Sequence, residues 1–148
     1  MRRRCKKGEG DHALGRFRGG FSSKIHALSD GLGNPFTFAL TAGQAGDAPE
    51  AEALFDNIET QAVIADRAYD TDAILEAIDA RGAVAVIPAK ANRKVKRDTD
   101  WSLYKERHKI EVMFGFMKHY RRVFARFDKL ARRFLSFVHF VAACILLR

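Results

Sequence analysis

Apolar and polar positions alternate in two short runs near the start of the chain. Phe21–Ser29 and Phe36–Thr41 both have this two-residue period, which is typical of strands with one buried face. The residues between them, Asp30–Pro35, are rich in Asp, Gly, Asn and Pro, which favour turns. The pattern therefore predicts a hairpin of two antiparallel strands.

Short helices and short apolar runs follow the hairpin. A helix is predicted at Ala48–Asn57, because Asp47 can cap its first turn. Ala62–Ala65 and Ala83–Ile87 are continuous apolar runs of the kind that form buried strands, and Thr71–Ala80 between them has helical spacing. Strand, helix and strand in this order predict a parallel pair of strands.

The last third of the chain has helical periodicity. A basic loop at Ala89–Asp100 precedes a long helix predicted at Trp101–Val123, and a final helix is predicted at Lys129–Leu147. The final apolar run is shorter than the roughly 20 residues that span a bilayer, so we expect a buried helix and no membrane partner. Aromatic residues recur at helical spacing and are predicted to be core residues rather than base-stacking groups. They are Tyr120, Phe124, Phe127, Phe134, Phe137 and Phe140.

Composition and charge narrow the class of protein. A hydrophobic fraction of 47% is enough for a core and excludes wholesale disorder. The net charge of +8 and the pI of about 9.8 indicate a polyanionic partner, with DNA or RNA ahead of an anionic membrane surface. Cys5 and Cys144 lack the spacing of a zinc site or a disulfide framework, and two isolated thiols agree with a cytoplasmic location.

Two carboxylates are candidates for chemistry. Asp66 ends the predicted strand Ala62–Ala65, and reactive groups of α/β proteins gather past the carboxyl ends of strands. The alternative is that Asp66 only caps the turn after the strand. Glu111 lies within the predicted helix Trp101–Val123.

The helix around Glu111 carries a polar stripe. Tyr104, Arg107, Glu111 and Lys118 are spaced by three, four and seven residues, which returns them to one helix face. A solvated face with an Arg107–Glu111 ion pair is the alternative interpretation, and the spacing alone does not distinguish the two.

The same four residues form the pattern Tyr-x2-Arg-x3-Glu-x6-Lys, which resembles the helix signature of bacterial insertion-sequence DDE transposases of the IS-four/IS-five type. Four further segments resemble the IS-five branch of that family, in the same order. They are ALGRFRGGFSSKIHAL at 13–28, LTAGQAGD at 40–47, ADRAYD at 65–70 and IPAKANR at 87–93. The sequence departs from the branch at Phe17, where Ser is common, and at Ala68, where Gly is usual.

The predicted order of elements also indicates a fold. The predicted order of elements matches an α/β ribonuclease H-like mixed sheet that lacks its first strand, because two strands rather than three precede the first helix. Residues 1–20 are rich in Arg, Lys and Gly and lack apolar periodicity, so we expect a flexible basic leader there. A partial catalytic domain would occupy residues 21–148, with a long helical region at its C-terminal end.

The resemblance also implies metal-dependent phosphoryl transfer on DNA, which is cleavage followed by strand transfer. Asp66 corresponds to the second carboxylate of the DDE triad and Glu111 to the third. These carboxylates would hold Mg²⁺ or Mn²⁺, with two ions in the complete enzyme. Tyr104, Arg107 and Lys118 would contact the DNA near the scissile phosphate.

The first Asp of the triad and the family's N-terminal DNA-binding domain have no counterpart in the sequence. We therefore expect the isolated chain to be inactive or nearly so, either as a truncated remnant or as the second reading frame of an element that joins two frames. Its expected partners are DNA, as transposon ends and target, and the upstream-frame product. A homodimer is expected for the complete enzyme only. The alternative is a non-catalytic DNA-binding remnant of a transposase.

The basic loop supplies further DNA-binding candidates. Arg93, Lys94, Lys96 and Arg97 lie within it, and we expect them to contact phosphates with a salt-dependent affinity. The alternative is that these four side chains only form a solvated loop surface.

Overall fold

The computed structural model describes residues 13–17, 20–47, 51, 53–54 and 58–147. These residues form small β-sheets and several helices, so the mixed α/β class predicted from the sequence is confirmed. Three residues of the predicted helix Ala48–Asn57 are helical, namely Ala51, Ala53 and Leu54, and the other seven lie outside the described residues.

The predicted hairpin is present. Strand β2, Gly20–Ser29, pairs antiparallel with β3, Pro35–Ala42, and Ile25 lies opposite Leu40. In the turn, the Asp30 carboxylate accepts hydrogen bonds from the backbone N–H of Leu32 and of Asn34 at 2.9 and 2.8 Å. The turn residues that the sequence contains therefore supply its hydrogen-bond acceptors.

A short strand lies where the sequence predicted the end of a flexible leader. Strand β1, Gly15–Phe17, pairs antiparallel with the beginning of β2, so three strands precede the first helix instead of two. The prediction missed β1 because pairing with a longer neighbour uses backbone groups and needs no apolar period. Residues 1–12 of the predicted leader lie outside the described residues.

The predicted parallel unit is confirmed. Strand β4, Ala62–Ile64, pairs parallel with β5, Val84–Val86, and helix α1, Asp72–Asp79, connects them. Hydrogen bonds join β1–β2–β3 and β4–β5 as two separate sheets in the described residues, whereas the sequence predicted one mixed sheet. Side-chain packing rather than a backbone ladder brings them together, since Leu28 of β2 packs against the apolar cluster around α1.

The long helix predicted at Trp101–Val123 is divided. It begins as α2, Trp101–Tyr104, tightens to a 3₁₀ turn at Lys105–Arg107 and continues as α3, His108–Lys118. Tyr120 is extended, which ends this run before the short helix α4, Arg121–Phe124. The final helix is confirmed as α5, Ala131–Leu146.

Two apolar clusters form the core. One joins β3 to α3 and α5 and includes Phe38, Met117 and Val138, while the other joins α1 to β5 and includes Ile74 and Ile78. No helix within the described ranges has the length and apolar character needed to cross a membrane.

The aromatic residues of the C-terminal region are only partly in the core. Phe134 is buried, and Tyr120 and Phe137 pack against its cluster. Phe124, Phe127 and Phe140 are exposed, so the prediction that they belong to the core was wrong. Helical spacing identifies a face of a helix, but it does not reveal whether another element covers that face.

Candidate active site

Asp66 lies just beyond β4, at the start of a single 3₁₀ turn, Arg67–Tyr69. One oxygen of its carboxylate accepts a hydrogen bond from the Ala68 backbone N–H at 2.8 Å. The capping role considered as an alternative is therefore observed. The other oxygen, Oδ2, has no hydrogen bond to the described residues, so it remains available to a ligand.

Asp66 lines a shallow cleft of about 430 Å³. Pro88, from the loop after β5, and Tyr104, from the end of α2, line the same cleft. Trp101 is largely exposed in the cleft and packs edge-on against Tyr104, with ring centroids 5.6 Å apart. The structure thus brings together two residues, Asp66 and Tyr104, that the sequence selected on separate grounds.

Glu111 lies on the same helical run but is not among the residues that line the cleft. Its Oε1 is 2.6 Å from Nη2 of Arg107, and its Oε2 is 3.5 Å from Nδ1 of His108. The Arg107 guanidinium also lies 5.8 Å from the centre of the Tyr104 ring. Tyr104, Arg107 and Glu111 therefore contact one another in succession along one helix face, as their spacing predicted. Lys118 is exposed further along the chain.

These carboxylates do not form a metal site in the present arrangement. Within the described ranges, no group of three or more His, Cys, Asp or Glu side chains is placed to hold an ion. Asp66 fits the role of a single oxygen ligand, because Oδ2 is available in the cleft. Glu111 does not fit while Arg107 occupies its Oε1.

Asp70 forms a second polar centre at the other end of the Arg67–Tyr69 turn. Its side chain is fully buried and accepts hydrogen bonds from the Lys90 backbone N–H at 2.7 Å, from Nε of Arg93 at 3.0 Å and from Nη2 of Arg97 at 2.7 Å. Burial alone would raise the pKa of Asp70, but these hydrogen bonds outweigh it and lower the pKa to about 2. The carboxylate therefore fixes the basic loop against the turn that carries Asp66.

The four basic-loop candidates consequently differ in their surroundings. Arg93 and Arg97 are partly buried and ion-paired with Asp70, and Arg93 also contacts Asp72 at 2.7 Å. Lys94 and Lys96 are exposed. Asp70 was not predicted as a loop anchor; a carboxylate close to the strand end and two arginines four residues apart are the sequence features that could have indicated it.

Comparisons with known proteins identify the family. The sequence matches the family described as "Transposase DDE domain" over residues 3–147. It is also 40% identical, over 129 residues, to a protein of Brucella ovis described as "Putative transposase for insertion sequence element IS6501", and the alignment covers 86% of this chain and 99% of that protein. No solved structure matches the chain. The family match and the insertion-sequence relative agree with the signature on the helix face, and the chain therefore belongs to the transposase DDE domain family.

Proposed function

We propose that the chain supplies part of the catalytic centre of an insertion-sequence transposase, which cleaves and joins DNA by metal-dependent phosphoryl transfer. The observation that carries the proposal is the cleft in which Asp66 presents an unpartnered carboxylate oxygen beside Tyr104 of the signature helix. A hard divalent cation such as Mg²⁺ prefers an oxygen ligand of this kind. The exposed Lys94, Lys96 and Lys118 are cations that can contact DNA phosphates.

Glu111 would join Asp66 only after its ion pair with Arg107 opens. The Glu111 side chain is half exposed, and an exposed pair of this spacing stabilises a helix by about 0.5 kcal/mol or less. A bound cation could readily compensate for that loss. In the open arrangement Arg107 would be released to bind a phosphate as a bidentate donor.

The Arg107–Glu111 pair equally favours a second candidate function, a non-catalytic DNA-binding protein that keeps the family's fold. In that case Glu111 stays paired and no cation is needed. Two carboxylates would also hold metal more weakly than a full triad. We expect DNA cleavage by the isolated chain to be slight or absent under either function, so metal binding is the more informative measurement.

The test is thermal unfolding of the chain with and without millimolar Mg²⁺ or Mn²⁺. We expect each metal to raise the Tm of the wild-type protein, because a ligand that binds only the folded state stabilises it. Asp66→Asn and Glu111→Gln should remove this shift. Asp79→Asn, which alters an exposed carboxylate outside the cleft, should retain it.

Two outcomes would contradict the catalytic proposal. If Asp66→Asn kept the full metal-dependent shift, the cation would bind elsewhere. If the wild-type protein bound duplex DNA but showed no metal-dependent shift, the non-catalytic function would be the correct one.

A further inference from the structure

Three phenylalanine side chains at the C-terminal end are exposed to solvent. Phe124, Phe127 and Phe140 expose 72%, 61% and 62% of their surfaces. Scattered single apolar residues are normal on a protein surface, but several exposed aromatic residues on elements that pack together, as α4 and α5 do, often mark a binding surface. These residues lie on α4, on the turn after it and on α5.

The turn between α4 and α5 is held by specific contacts. Arg122 donates to the Asp128 carboxylate at 3.0 Å, and Arg126 donates to the Asp128 backbone carbonyl at 2.9 Å. The Arg126 guanidinium also stacks on the buried Phe134 ring, 5.0 Å from its centre. Phe124 and Phe127 lie on either side of Arg126 in the sequence, so these contacts fix the backbone that carries both exposed rings.

Contacts link this turn to the exposed face of α5. The Arg122 guanidinium lies 4.8 Å from the centre of the Phe137 ring, and the Phe137 and Phe140 rings are 6.2 Å apart. Arg133, Phe137 and Phe140 are spaced by four and three residues, which places them on one stripe of the helix. Arg122 of α4 thus contacts the Phe137–Phe140 stripe of α5.

The surface is also strongly basic. Residues 118–133 contain seven Lys or Arg and a single acidic residue, Asp128. Lys118, Arg121, Arg132 and Arg133 are exposed, and no hydrogen bond or ion pair occupies their charged groups within the described ranges. Unpaired cations and exposed aromatic rings on the same segment of the chain fit a ligand that has both negative charge and flat apolar faces.

We propose that this aromatic–basic surface, formed by Phe124, Phe127, Phe140 and the exposed cations of residues 118–133, binds single-stranded DNA. Unpaired bases would stack on the phenylalanine rings, and the cations would contact the phosphates between them. The chain carries a net charge of +8, so a second copy would place like charges against this surface and fits it less well than a polyanion does. The three phenylalanines lie on different elements from the Asp66 cleft, and the proposal does not depend on metal binding.

The test compares labelled oligo-dT with a duplex of equal length by fluorescence anisotropy, using the full chain. Because each stacked base contributes to affinity, Phe124→Ala/Phe127→Ala should weaken oligo-dT binding by roughly tenfold or more. Duplex affinity should change much less, because paired bases are not available for stacking. Phe36→Ala, at an exposed phenylalanine on β3, is the matched control and should bind as the wild-type protein does.

A second pair of variants separates stacking from charge. Arg132→Ala/Arg133→Ala should reduce the slope of log affinity against log salt for oligo-dT by about 1.4, since each phosphate contact contributes about 0.7. The phenylalanine variant should leave that slope unchanged. Because all four side chains are exposed, urea unfolding should give both variants the stability of the wild-type protein.

The proposal is wrong if the phenylalanine variant binds oligo-dT as tightly as the wild-type protein. It is also wrong if sedimentation shows that the wild-type chain dimerises and the phenylalanine variant does not, while both bind oligo-dT equally. The surface would then be a self-association face rather than a nucleic-acid site.

Discussion

The buried carboxylate of Asp70 is the main polar contact between the basic loop and the turn that carries Asp66. Replacing it with an amide in Asp70→Asn would leave Arg93 and Arg97 without an anionic partner. Breaking a buried pair costs about 3–5 kcal/mol, and both guanidinium groups here keep some solvent contact, so we expect a loss of about 2–3 kcal/mol. Asp72→Asn is the control, because its side chain is 79% exposed and its pair with Arg93 should contribute less than about 1 kcal/mol. Urea unfolding of both variants checks the difference, which equal losses would contradict.

The pH dependence of the same variant identifies the cause of the loss. The pKa of Asp70 is lowered from 3.8 to about 2 in the folded protein. A carboxylate with a lowered pKa stabilises the fold above its unfolded pKa, and the stabilisation is lost as the pH falls through the folded value. The stability difference between wild type and Asp70→Asn should therefore shrink by about 2 kcal/mol between pH 5 and pH 2. A difference that stayed constant with pH would show that the charge of Asp70 is not responsible.

Helix α1 ends in a backbone conformation that favours glycine. Gly82 has a φ of +67°, and a Cβ added there would meet nothing within 4 Å, so Gly82→Ala would cost backbone strain alone, about 1 kcal/mol. Gly31 in the hairpin turn is a matched control, since a Cβ there also meets nothing and its φ lies outside the left-handed region. We expect Gly31→Ala to be neutral or to stabilise by less than about 1 kcal/mol. Thermal unfolding distinguishes them, and equal Tm values for both variants would show that the φ of Gly82 has no energetic consequence.

The elements that the sequence predicted best are those with an internal period. The hairpin, the parallel strands and α5 follow from alternation, apolar runs and helical spacing along the chain itself. The break at Tyr120 could not be predicted from the sequence, because apolar spacing continues across it. In the folded chain the break precedes α4, whose Val123 is buried in the core. Strand β1 has no apolar period that could reveal it. It forms because the neighbouring strand supplies its hydrogen-bond partners.

The candidate site was predictable to a similar degree. Asp66 at a strand end and the stripe from Tyr104 to Glu111 are local patterns, and the structure places Asp66 and Tyr104 in one cleft. The pairing of Asp70 with Arg93 and Arg97 connects groups more than twenty residues apart, so the residue types are visible in the sequence but their contact is not. Long-range polar partners and exposed aromatic rings depend on which elements pack together, so they require the folded chain.

At the scale of the whole molecule, the net charge of +8 is not uniformly available to DNA. Folding pairs Arg93 and Arg97 with Asp70, so the basic loop offers chiefly Lys94 and Lys96 to a polyanion. Counterion release makes log affinity for duplex DNA fall with log salt by about 0.9 for each phosphate contact. Lys94→Ala/Lys96→Ala should therefore reduce that slope by about 2 and weaken binding similarly for different sequences.

Lys109→Ala is the matched control for this measurement. The Lys109 ammonium pairs with Glu106 and donates to the Gly31 carbonyl oxygen at 2.7 Å, so its charge is already compensated within the chain. Its removal should leave the salt slope close to that of the wild-type protein. If Lys109→Ala and the Lys94/Lys96 variant changed the slope equally per residue, net charge rather than the position of each cation would govern DNA binding. If neither changed it, the phosphate contacts would lie elsewhere in the chain and the basic loop would serve only to hold the Asp66 turn in place.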